Sequence, residues 1–357
     1  MKTKNILTLT ALVSIISGCG SVSRENFHQE LSTPIEKIIY YASLAGNSHN
    51  TQPWTVYVEN DSVLFIKVDF SRKLYIVDPD ARGLFISMGA FIENLVLSAG
   101  SLGYNAEIVL TASHKNDSNV ANINLSKTQK NGYNLSQIER RRTLRTPFQN
   151  TEISKNHLNK LIDNNSEIFY YSSSSEEGKY IAEQTLAAYT QQAQDDQAKQ
   201  ELANWMRFLN SDVEKHRDGL TTSGMGITGF SGFFIRNFYK PEDSMKDSFI
   251  KAGVEKTKEQ TENCGGWLVI TQNENSPENY IQTGRLYQRL NLACEDLMIG
   301  FHPMNQMIEE ENFEKNVNQQ LSLPGDIQFV ARIGYVNEYP PANSVRRPVK
   351  GIIEYAN

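Results

Sequence analysis

The stretch ASLAGNSHNTQPW at residues 42–54 joins a short helix to a strand through a polar loop. Upstream, Pro34–Ala45 carries apolar residues at helical spacing, and downstream WTVYV at residues 54–58 is an apolar strand. The proline fixes the exit of the loop, and the tryptophan packs into the core where the strand begins. The stretch therefore predicts a helix, a polar loop and the first strand of a sheet.

Two long helices are predicted farther along the chain, over Asp80–Gly103 and Pro277–Gly300. Glycine and leucine recur between them at an offset of 195 residues, which pairs Gly89, Leu95, Leu97 and Leu102 with Gly284, Leu290, Leu292 and Leu297. Any two buried amphipathic helices share leucine spacing, so this repeat alone does not establish a duplication. Similar strands follow each helix, and the two features together favour a duplicated α+β unit.

The composition excludes several classes of protein. The 357 residues include 41 acidic and 35 basic side chains, a formal net charge of −6, whereas general nucleic-acid binding needs a basic face. Hydrophobic residues make up 39%, which suffices for a packed core. Three cysteines are too few for a disulfide scaffold, and the six histidines lack metal-binding spacing, so no metal site is predicted. Cys264 and Cys294 are either a disulfide pair or two buried thiols.

The first nineteen residues have the pattern of a secretory signal. Lys2 and Lys4 precede an apolar run, ILTLTALVSII, and small residues follow up to Cys19. Ile-Ser-Gly-Cys resembles a bacterial lipobox, in which Cys19 is lipidated and becomes the first mature residue. We expect a signal peptide over 1–19, a polar tether over 20–33 and a lipid anchor in the cell envelope, with the outer membrane or the periplasmic face favoured. The alternative is a buried N-terminal helix that contains a cysteine by chance.

A compact cationic motif, RRTLR, occupies residues 141–145, at the end of a helix predicted from Leu135. A guanidinium binds phosphate through two parallel hydrogen bonds, so three arginines beside a threonine hydroxyl suit an anion. A solvated basic helix end is the alternative explanation.

Four motifs, in this order, are similar to those of the nitroreductase family. ASLAGNSHNTQPW resembles its flavin-binding loop, and RRTLR resembles the motif that binds the phosphate of FMN. GRLYQRLNLACEDLMIGFHP, at residues 284–303, resembles its long central helix, and RRP at residues 346–348 resembles its closing basic motif. The resemblance implies an α+β, nitroreductase-like fold with FMN as the cofactor.

The family resemblance also implies how two halves share one site. Ordinary members are homodimers, whose FMN lies between the arginine motif of one subunit and the asparagine loop of the other. Here the first half, 34–130, lacks the arginine cluster, and the second half, 135–357, lacks Asn-x-Gln-Pro-Trp. We expect two tandem repeats that form a single-chain pseudo-dimer with one FMN site, similar to the Acg-type branch of the superfamily, and a monomer in solution.

The resemblance assigns the FMN-binding residues individually. The phosphate is assigned to Arg141, Arg142, Thr143 and Arg145, with Arg346 or Arg347 arriving from the tail. The isoalloxazine or ribityl group is assigned to Asn47, Ser48 and Asn50, and the flavin ring to Pro303, Met304 and Asn305. Many relatives have Glu-Gly where this chain has Asn305-Gln306, which alters the hydrogen bond that tunes the flavin. No catalytic side chain is identified.

The segment 218–240 contains five glycines, from Gly219 to Gly232, among Phe230, Phe233 and Phe234. Its Gly224-x-Gly226-x-x-Gly229 is not a dinucleotide site, since no apolar strand precedes it. The segment lacks clear periodicity and suits a mobile lid anchored by Phe230, Phe233 and Phe234, as known for Acg-type relatives. The alternative is an ordinary glycine-rich surface loop.

Taken together, these motifs predict an FMN-dependent oxidoreductase that transfers hydride from reduced FMN to a small organic electron acceptor such as a nitroaromatic or a quinone. A non-catalytic FMN-binding or storage lipoprotein, whose lid covers the flavin, is the alternative. A structural lipoprotein that retains only the fold is a third possibility.

Overall fold

The structure is a computed structural model and describes residues 21–356. The predicted signal peptide, with its lipidation site Cys19, lies outside the described residues. The α-helices are α1 (Pro34–Ser43), α2 (Arg82–Leu102), α3 (Leu135–Arg140), α4 (Lys155–Ile162), α5 (Glu176–Gln192), α6 (Asp196–Asn204), α7 (Asn210–His216), α8 (Gly229–Phe238), α9 (Asp247–Glu262), α10 (Pro277–Asp296), α11 (Gln306–Glu309) and α12 (Glu311–Gln320). The strands are β1 (Trp54–Asn60), β2 (Val63–Val68), β3 (Tyr104–Leu110), β4 (Asn119–Lys127), β5 (Ile168–Ser172), β6 (Met206–Arg207), β7 (Leu220–Thr221), β8 (Gly266–Gln272), β9 (Ile299–Pro303), β10 (Asp326–Tyr335) and β11 (Ile353–Tyr355).

Two main sheets make this an α+β fold, as the sequence predicts. The first has the strand order β11-β1-β2-β4-β3 and the second the order β5-β8-β10-β9. Strands β1 and β2 alternate buried and partly exposed residues, because the sheet packs on the core through one face. Strand β8 is buried along its whole length, as a strand in the interior of a sheet covered on both sides.

The long helices α2 and α10 pack against each other between the two sheets, α2 contacting β3 and α10 contacting β8, β9 and β10. They cross at glycine: a Cβ added to Gly89 would lie 2.0 Å from the Ile281 carbonyl oxygen, and one added to Gly284 would lie 2.0 Å from that of Ile86. Beside the crossing, the buried Glu93 carboxylate pairs with Arg285 and Arg289 at 2.9 and 2.7 Å. The crossing thus joins the first and second parts of the chain.

The start of α2 differs from the prediction by two residues, while its end is confirmed. The Asp78 carboxylate, rather than that of Asp80, accepts the backbone N–H groups of Gly83 and Leu84 at 3.0 and 2.8 Å. Asp80 instead pairs with Lys115 on the surface. At the other end, Gly103 adopts φ +89°, a left-handed conformation that favours glycine as a helix terminator.

Two predicted helices end earlier than expected. Helix α10 ends at Asp296, because residues 299–303 pair with β10 as strand β9. Helix α3 ends at Arg140, and the RRTLR motif continues as extended chain in which the Leu144 N–H donates to the Phe301 carbonyl oxygen at 3.1 Å. The arginine side chains therefore project from an extended backbone rather than from the end of a helix.

Both ends of the described chain lie against the folded body. The polar tether predicted over 20–33 is packed where it is described: the Phe27 ring lies 4.0 Å from the Arg217 guanidinium, and Gln29 accepts a hydrogen bond from the Val349 N–H at 2.7 Å. The tail predicted as an extended arm is extended only as far as Pro348. It then forms a short 3₁₀ turn, and β11 pairs in parallel with β1.

Three further expectations can be compared with the fold. Within the described residues Cys264 and Cys294 are both buried free thiols, not a disulfide. The segment 218–240, predicted to lack periodicity, forms α8 over its second part. Among residues 21–356, one helix, α2, is long and apolar enough to cross a membrane, but most of it is buried in the core.

Candidate functional site

Each of the three arginines of the RRTLR motif donates to a different segment of the chain. Arg141 donates to the Leu44 carbonyl oxygen at 2.9 Å, Arg142 to that of Pro341 at 2.5 Å, and Arg145 to that of Gly224 at 2.7 Å. A helical backbone would have arranged the three side chains around one helix axis. Here one motif contacts three separate segments of the chain.

Two guanidiniums meet at the C-terminal end of α1. Arg346 donates to the carbonyl oxygens of Ser43, Leu44 and Ala45 at 2.7, 3.3 and 3.1 Å. Arg141 donates to the same Leu44 oxygen. The exposed carbonyls of a helix end carry partial negative charge, which explains why the cations gather there. Burial and the nearby charge of Arg141 lower the pKa of Arg346 well below its usual range.

Arg347, next in the tail, holds the loop exit rather than a free anion site. Its backbone N–H donates to the Gln52 Oε1 at 2.8 Å, and its guanidinium donates to the carbonyl oxygens of Gln52, Trp54 and Gly351. The loop and the tail are therefore bonded to each other.

Asparagine side chains of the predicted flavin loop, residues 42–54, hydrogen-bond within the loop and to other segments of the chain. The Asn47 side-chain oxygen accepts the Gln52 N–H at 2.9 Å, and Asn50 accepts from Arg346 at 2.9 Å. The Asn50 amide also donates to the Gly219 carbonyl oxygen at 3.2 Å. The Ser48 N–H donates to the Ser87 hydroxyl at 3.3 Å, which ties the loop to α2. Asn50 thus joins the loop to the tail and to the segment that begins the predicted lid.

His49 and Arg145 are both partly buried, and the charge of Arg145 acts on the His49 ring. Burial, with the charge of Arg145, lowers the pKa of His49 to about 4. Burial also lowers the pKa of Arg145 to about 10. His49 Nδ1 is buried without a hydrogen-bond partner. The imidazole is therefore neutral at pH 7, beside an arginine that remains charged.

Arg332 and His302 form a buried pair that sequence reasoning did not identify. Arg332 is fully buried, donates to His302 Nδ1 at 3.0 Å and stacks on the Phe148 ring at 4.0 Å. It also donates to the Thr146 carbonyl oxygen at 2.9 Å, which holds the chain just after the RRTLR motif. Arg332 lies in an apolar strand, IQFVARIGYV, and nothing in that pattern marked it as part of a site.

The three residues assigned to the flavin ring lie where β9 ends. Met304 is buried, and its N–H donates to the Val330 carbonyl oxygen at 2.9 Å. The Asn305 side-chain oxygen accepts the Val330 N–H at 2.8 Å, so this amide is used by the fold. The neighbouring Gln306 Oε1 is buried without a hydrogen-bond partner.

The arginines of this region share one property: within the described residues none of them has a carboxylate oxygen within 4 Å of its guanidinium. They are Arg141, Arg142, Arg145, Arg332, Arg346 and Arg347. Nε of Arg141 and Nε of Arg142 are also buried without a hydrogen-bond partner. Buried charges are normally paired, and buried donors are normally satisfied. The arrangement therefore fits an anion, and the phosphate of FMN has the chemistry that these donors require.

Comparison with known proteins gives one family. The profile of the nitroreductase family matches residues 138–335 of this chain. A protein of Mycobacterium tuberculosis strain H37Rv, provisionally named an NAD(P)H nitroreductase, is 30% identical over 98 residues, which are 27% of this chain. A protein of strain CDC 1551 with the same provisional description matches to the same extent. The chain spans only 28% of the length of these two relatives.

Solved structures of nitroreductases are similar to this chain at low sequence identity. A nitroreductase structure from Anabaena variabilis is 11% identical and covers 88% of this chain and 92% of its own, with a TM-score of 0.44. The FMN-dependent nitroreductase NfnB of Mycobacterium smegmatis, solved with NADPH, is 14% identical and covers 62% of this chain and 96% of its own, with a TM-score of 0.38.

Proposed function

Because this chain belongs to the nitroreductase family, we propose that it is an FMN-dependent oxidoreductase that transfers hydride from reduced FMN to a small organic acceptor, such as a nitroaromatic or a quinone. The observation that carries the proposal is the group of guanidiniums without carboxylate partners, in which Arg141, Arg332 and Arg346 are buried and Nε of Arg141 and Nε of Arg142 are unsatisfied. A bound phosphate would supply the missing negative charge and the missing acceptors.

Different segments of the chain would contribute the groups that hold FMN. Arg141, Arg142 and Arg145, with the Thr143 hydroxyl, would hold the phosphate. Asn47, Ser48 and Asn50 would border the ribityl chain or the ring, and Arg346 is bonded to the Asn50 side chain. When bound, FMN supplies the hydride chemistry, while the protein orients it and limits water.

His49 is a neutral group within reach of the charge of Arg145. Its low pKa keeps the ring uncharged at pH 7, so it adds no repulsion to the cationic site and its unpartnered Nδ1 remains free to accept or donate a hydrogen bond. The segment around Gly224 covers Arg145 through its carbonyl oxygen, in keeping with a lid over this end of the site.

The proposal includes a single-chain pseudo-dimer of the Acg type with one FMN site. The crossing of α2 and α10 at Gly89 and Gly284 supports it, because these glycines occupy the same place in the repeat of 195 residues. Residues from both parts of the chain meet at the site: the asparagine loop from the first, and the arginines from the second. A protein built in this way would be a monomer in solution.

We also infer that Cys19 carries a lipid and holds the domain at the bacterial envelope, at the outer membrane or on the periplasmic face. The basic start, the apolar run and the small residues before Cys19 support this localisation. Metabolic labelling with a radioactive or clickable fatty acid would test it: wild type should incorporate label, and Cys19→Ala should not.

A visible absorption spectrum of the purified chain is the first test of the cofactor. We expect oxidised-flavin bands, and FMN should be released when the protein is denatured. Replacing both Arg142 and Arg145 by alanine should abolish FMN retention, whereas Lys115→Ala, a surface control, should not. A colourless protein that remains colourless after incubation with FMN would refute the proposal.

Turnover distinguishes an oxidoreductase from a storage protein. The chain is reduced chemically without oxygen and then mixed rapidly with a nitroaromatic or a quinone, while the flavin absorbance is followed. Rapid reoxidation would support the proposed reaction. If no acceptor reoxidises a fully flavin-loaded chain, the enzymatic assignment is wrong and the protein only binds FMN.

A further inference from the structure

Four phenylalanines form a stripe on one face of helix α8 that is exposed to solvent. Phe230, Phe233, Phe234 and Phe238 are 82, 37, 45 and 65% exposed, and their spacing of three and four residues places them on one face of the helix. The rings of Phe234 and Phe238 lie 4.9 Å apart, so the stripe is continuous. None of the four rings is buried, whereas the predicted anchors of a closed lid would be.

Gly232, the buried residue of α8, lies on the face opposite the stripe. A Cβ at this position would lie 2.6 Å from the Ile227 carbonyl oxygen, in the turn just before the helix. Large exposed apolar patches on a soluble domain mark contact surfaces.

The N-terminal end of the described chain contacts the start of α7, and a chain of aromatic contacts links that region to α8. The Val22 N–H lies 3.5 Å from the Asn210 side-chain oxygen at the start of α7. Two residues earlier, the Phe208 ring lies 6.1 Å from the Tyr239 ring, which lies 6.1 Å from that of Phe234. With ~3.5 Å of chain per residue and the lengths of the side chains included, these contacts bound the separation of Val22 from Phe234 at roughly 30 Å.

Cys19 precedes Val22 by three residues, which span at most ~11 Å of extended chain. A lipid on Cys19 would therefore bring Val22 close to a bilayer, and the contacts above keep α8 within roughly 30 Å of Val22. The apolar run at 6–16 belongs to the same end of the chain. The same end would therefore be attached to the bilayer whether or not this run is cleaved off.

A lipid surface fits the stripe better than a second copy of this chain. A helix of ten residues is ~15 Å long, so the stripe offers a few hundred Å² at most, whereas each partner in a stable interface contributes ~800 Å². A bilayer needs no complementary surface and accepts aromatic side chains at the boundary of its headgroups and acyl chains. The net negative charge of the chain means that apolar insertion, not attraction to anionic lipid, would drive the contact.

We propose that α8 is a membrane-contact helix: its phenylalanine stripe enters the interfacial layer of the bilayer to which the N-terminal end of the chain is attached. The helix thereby fixes the orientation of the domain on the membrane, which a flexible anchor alone would leave free. This contact also keeps one end of the segment that covers Arg145 at a fixed distance from the bilayer surface.

Tryptophan quenching by brominated phosphatidylcholine tests the contact in the full chain. Phe234→Trp reports on the stripe, and Val109→Trp, at an apolar position that is 49% exposed on β3, is the matched control. When the Phe234→Trp variant binds zwitterionic vesicles, its emission should shift to the blue. Bromine near the headgroup end of the acyl chain should also reduce its intensity. The signal at position 109 and that of the native tryptophans should not change.

Loss of the stripe should also weaken attachment independently of the lipid anchor. In a Cys19→Ala background, changing Phe230, Phe234 and Phe238 to serine should lower the fraction of chain that sediments with phosphatidylcholine vesicles, with unchanged far-UV circular dichroism. Three results would overturn the proposal: no quenching at position 234 in vesicle-bound protein, equal quenching at both positions, or binding only to anionic lipid. A blue shift that grows with protein concentration without vesicles would assign the stripe to a second copy instead.

Discussion

Gly89 and Gly284 face each other where α2 crosses α10, so closely that a Cβ on Gly284 would lie 2.9 Å from the Gly89 Cα. Each position also abuts a carbonyl oxygen of the opposite helix. Backbone carbonyls of packed helices cannot move aside as a flexible side chain can, so this contact sets the distance between the two parts of the chain.

Gly89→Ala should therefore destabilise the protein by ~2 kcal/mol or more, since the added methyl group must separate two buried helices. Urea unfolding followed by circular dichroism measures the loss. Gly351→Ala is the matched control, because a Cβ there would meet only Pro348 side-chain atoms at 3.5 and 3.9 Å. Equal stability of the Gly89 and Gly351 variants would show that the helices are less closely packed than described.

Arg346→Lys should loosen the C-terminal arm although the charge is retained. Lysine has three donors on one atom and cannot reproduce the bonds that the guanidinium makes to Ser43, Leu44, Ala45 and Asn50. We expect a loss of roughly 2–4 kcal/mol in unfolding free energy and earlier proteolytic cleavage of the arm. Lys350→Gln, an exposed change in the same arm, should alter neither quantity.

His49 should make folding stability depend on pH. Its pKa is lowered from 6.5 to about 4 in the folded state, so between these values the unfolded chain binds a proton that the folded chain does not. Stability should fall as the pH is lowered through this window, by up to about 3 kcal/mol.

His49→Asn should remove this part of the dependence, and asparagine tolerates the positive φ of 49° found there. The measurement is urea unfolding at several pH values between 4 and 7, for wild type, His49→Asn and the exposed-histidine control His114→Gln. The difference between wild type and His49→Asn isolates this histidine from other titrating groups. Identical pH slopes for wild type and the His49→Asn variant would show that His49 is not buried as described.

Cys264 and Cys294 should remain unreactive thiols in the native protein. Burial raises the pKa of Cys264 to about 11 and also raises that of Cys294, so neither forms a thiolate readily at neutral pH. Iodoacetamide without reductant should label both residues only in urea, as peptide mass spectrometry would show. Recovery of a peptide pair linked through the two sulfurs would contradict the free thiols of the structure.

Local patterns in the sequence were sufficient for the family and for most of the helices and strands. The nitroreductase resemblance, drawn from four short motifs, is confirmed by the family match over residues 138–335. Helix ends were less accurate, because Asp78 and Asp80 are equally plausible caps until the turn geometry is known. The end of α10 was placed too late for a similar reason: pairing with β10 converts residues 299–303 into a strand.

The linear pattern identifies the residue types on which the chemistry depends: three arginines within five residues, an asparagine-rich loop, and glycines spaced alike in two helices. These follow from local spacing, which a linear pattern records. Which donors are already used emerges only in the folded chain. Asn50 and Arg346 satisfy each other, while Nε of Arg141 and Nε of Arg142 do not find a partner. Arg332 joins the region from an apolar strand, and the phenylalanines of α8 face outward. The physical reason is that a hydrogen bond or a buried face depends on distances between segments far apart in the chain, and folding alone sets those distances.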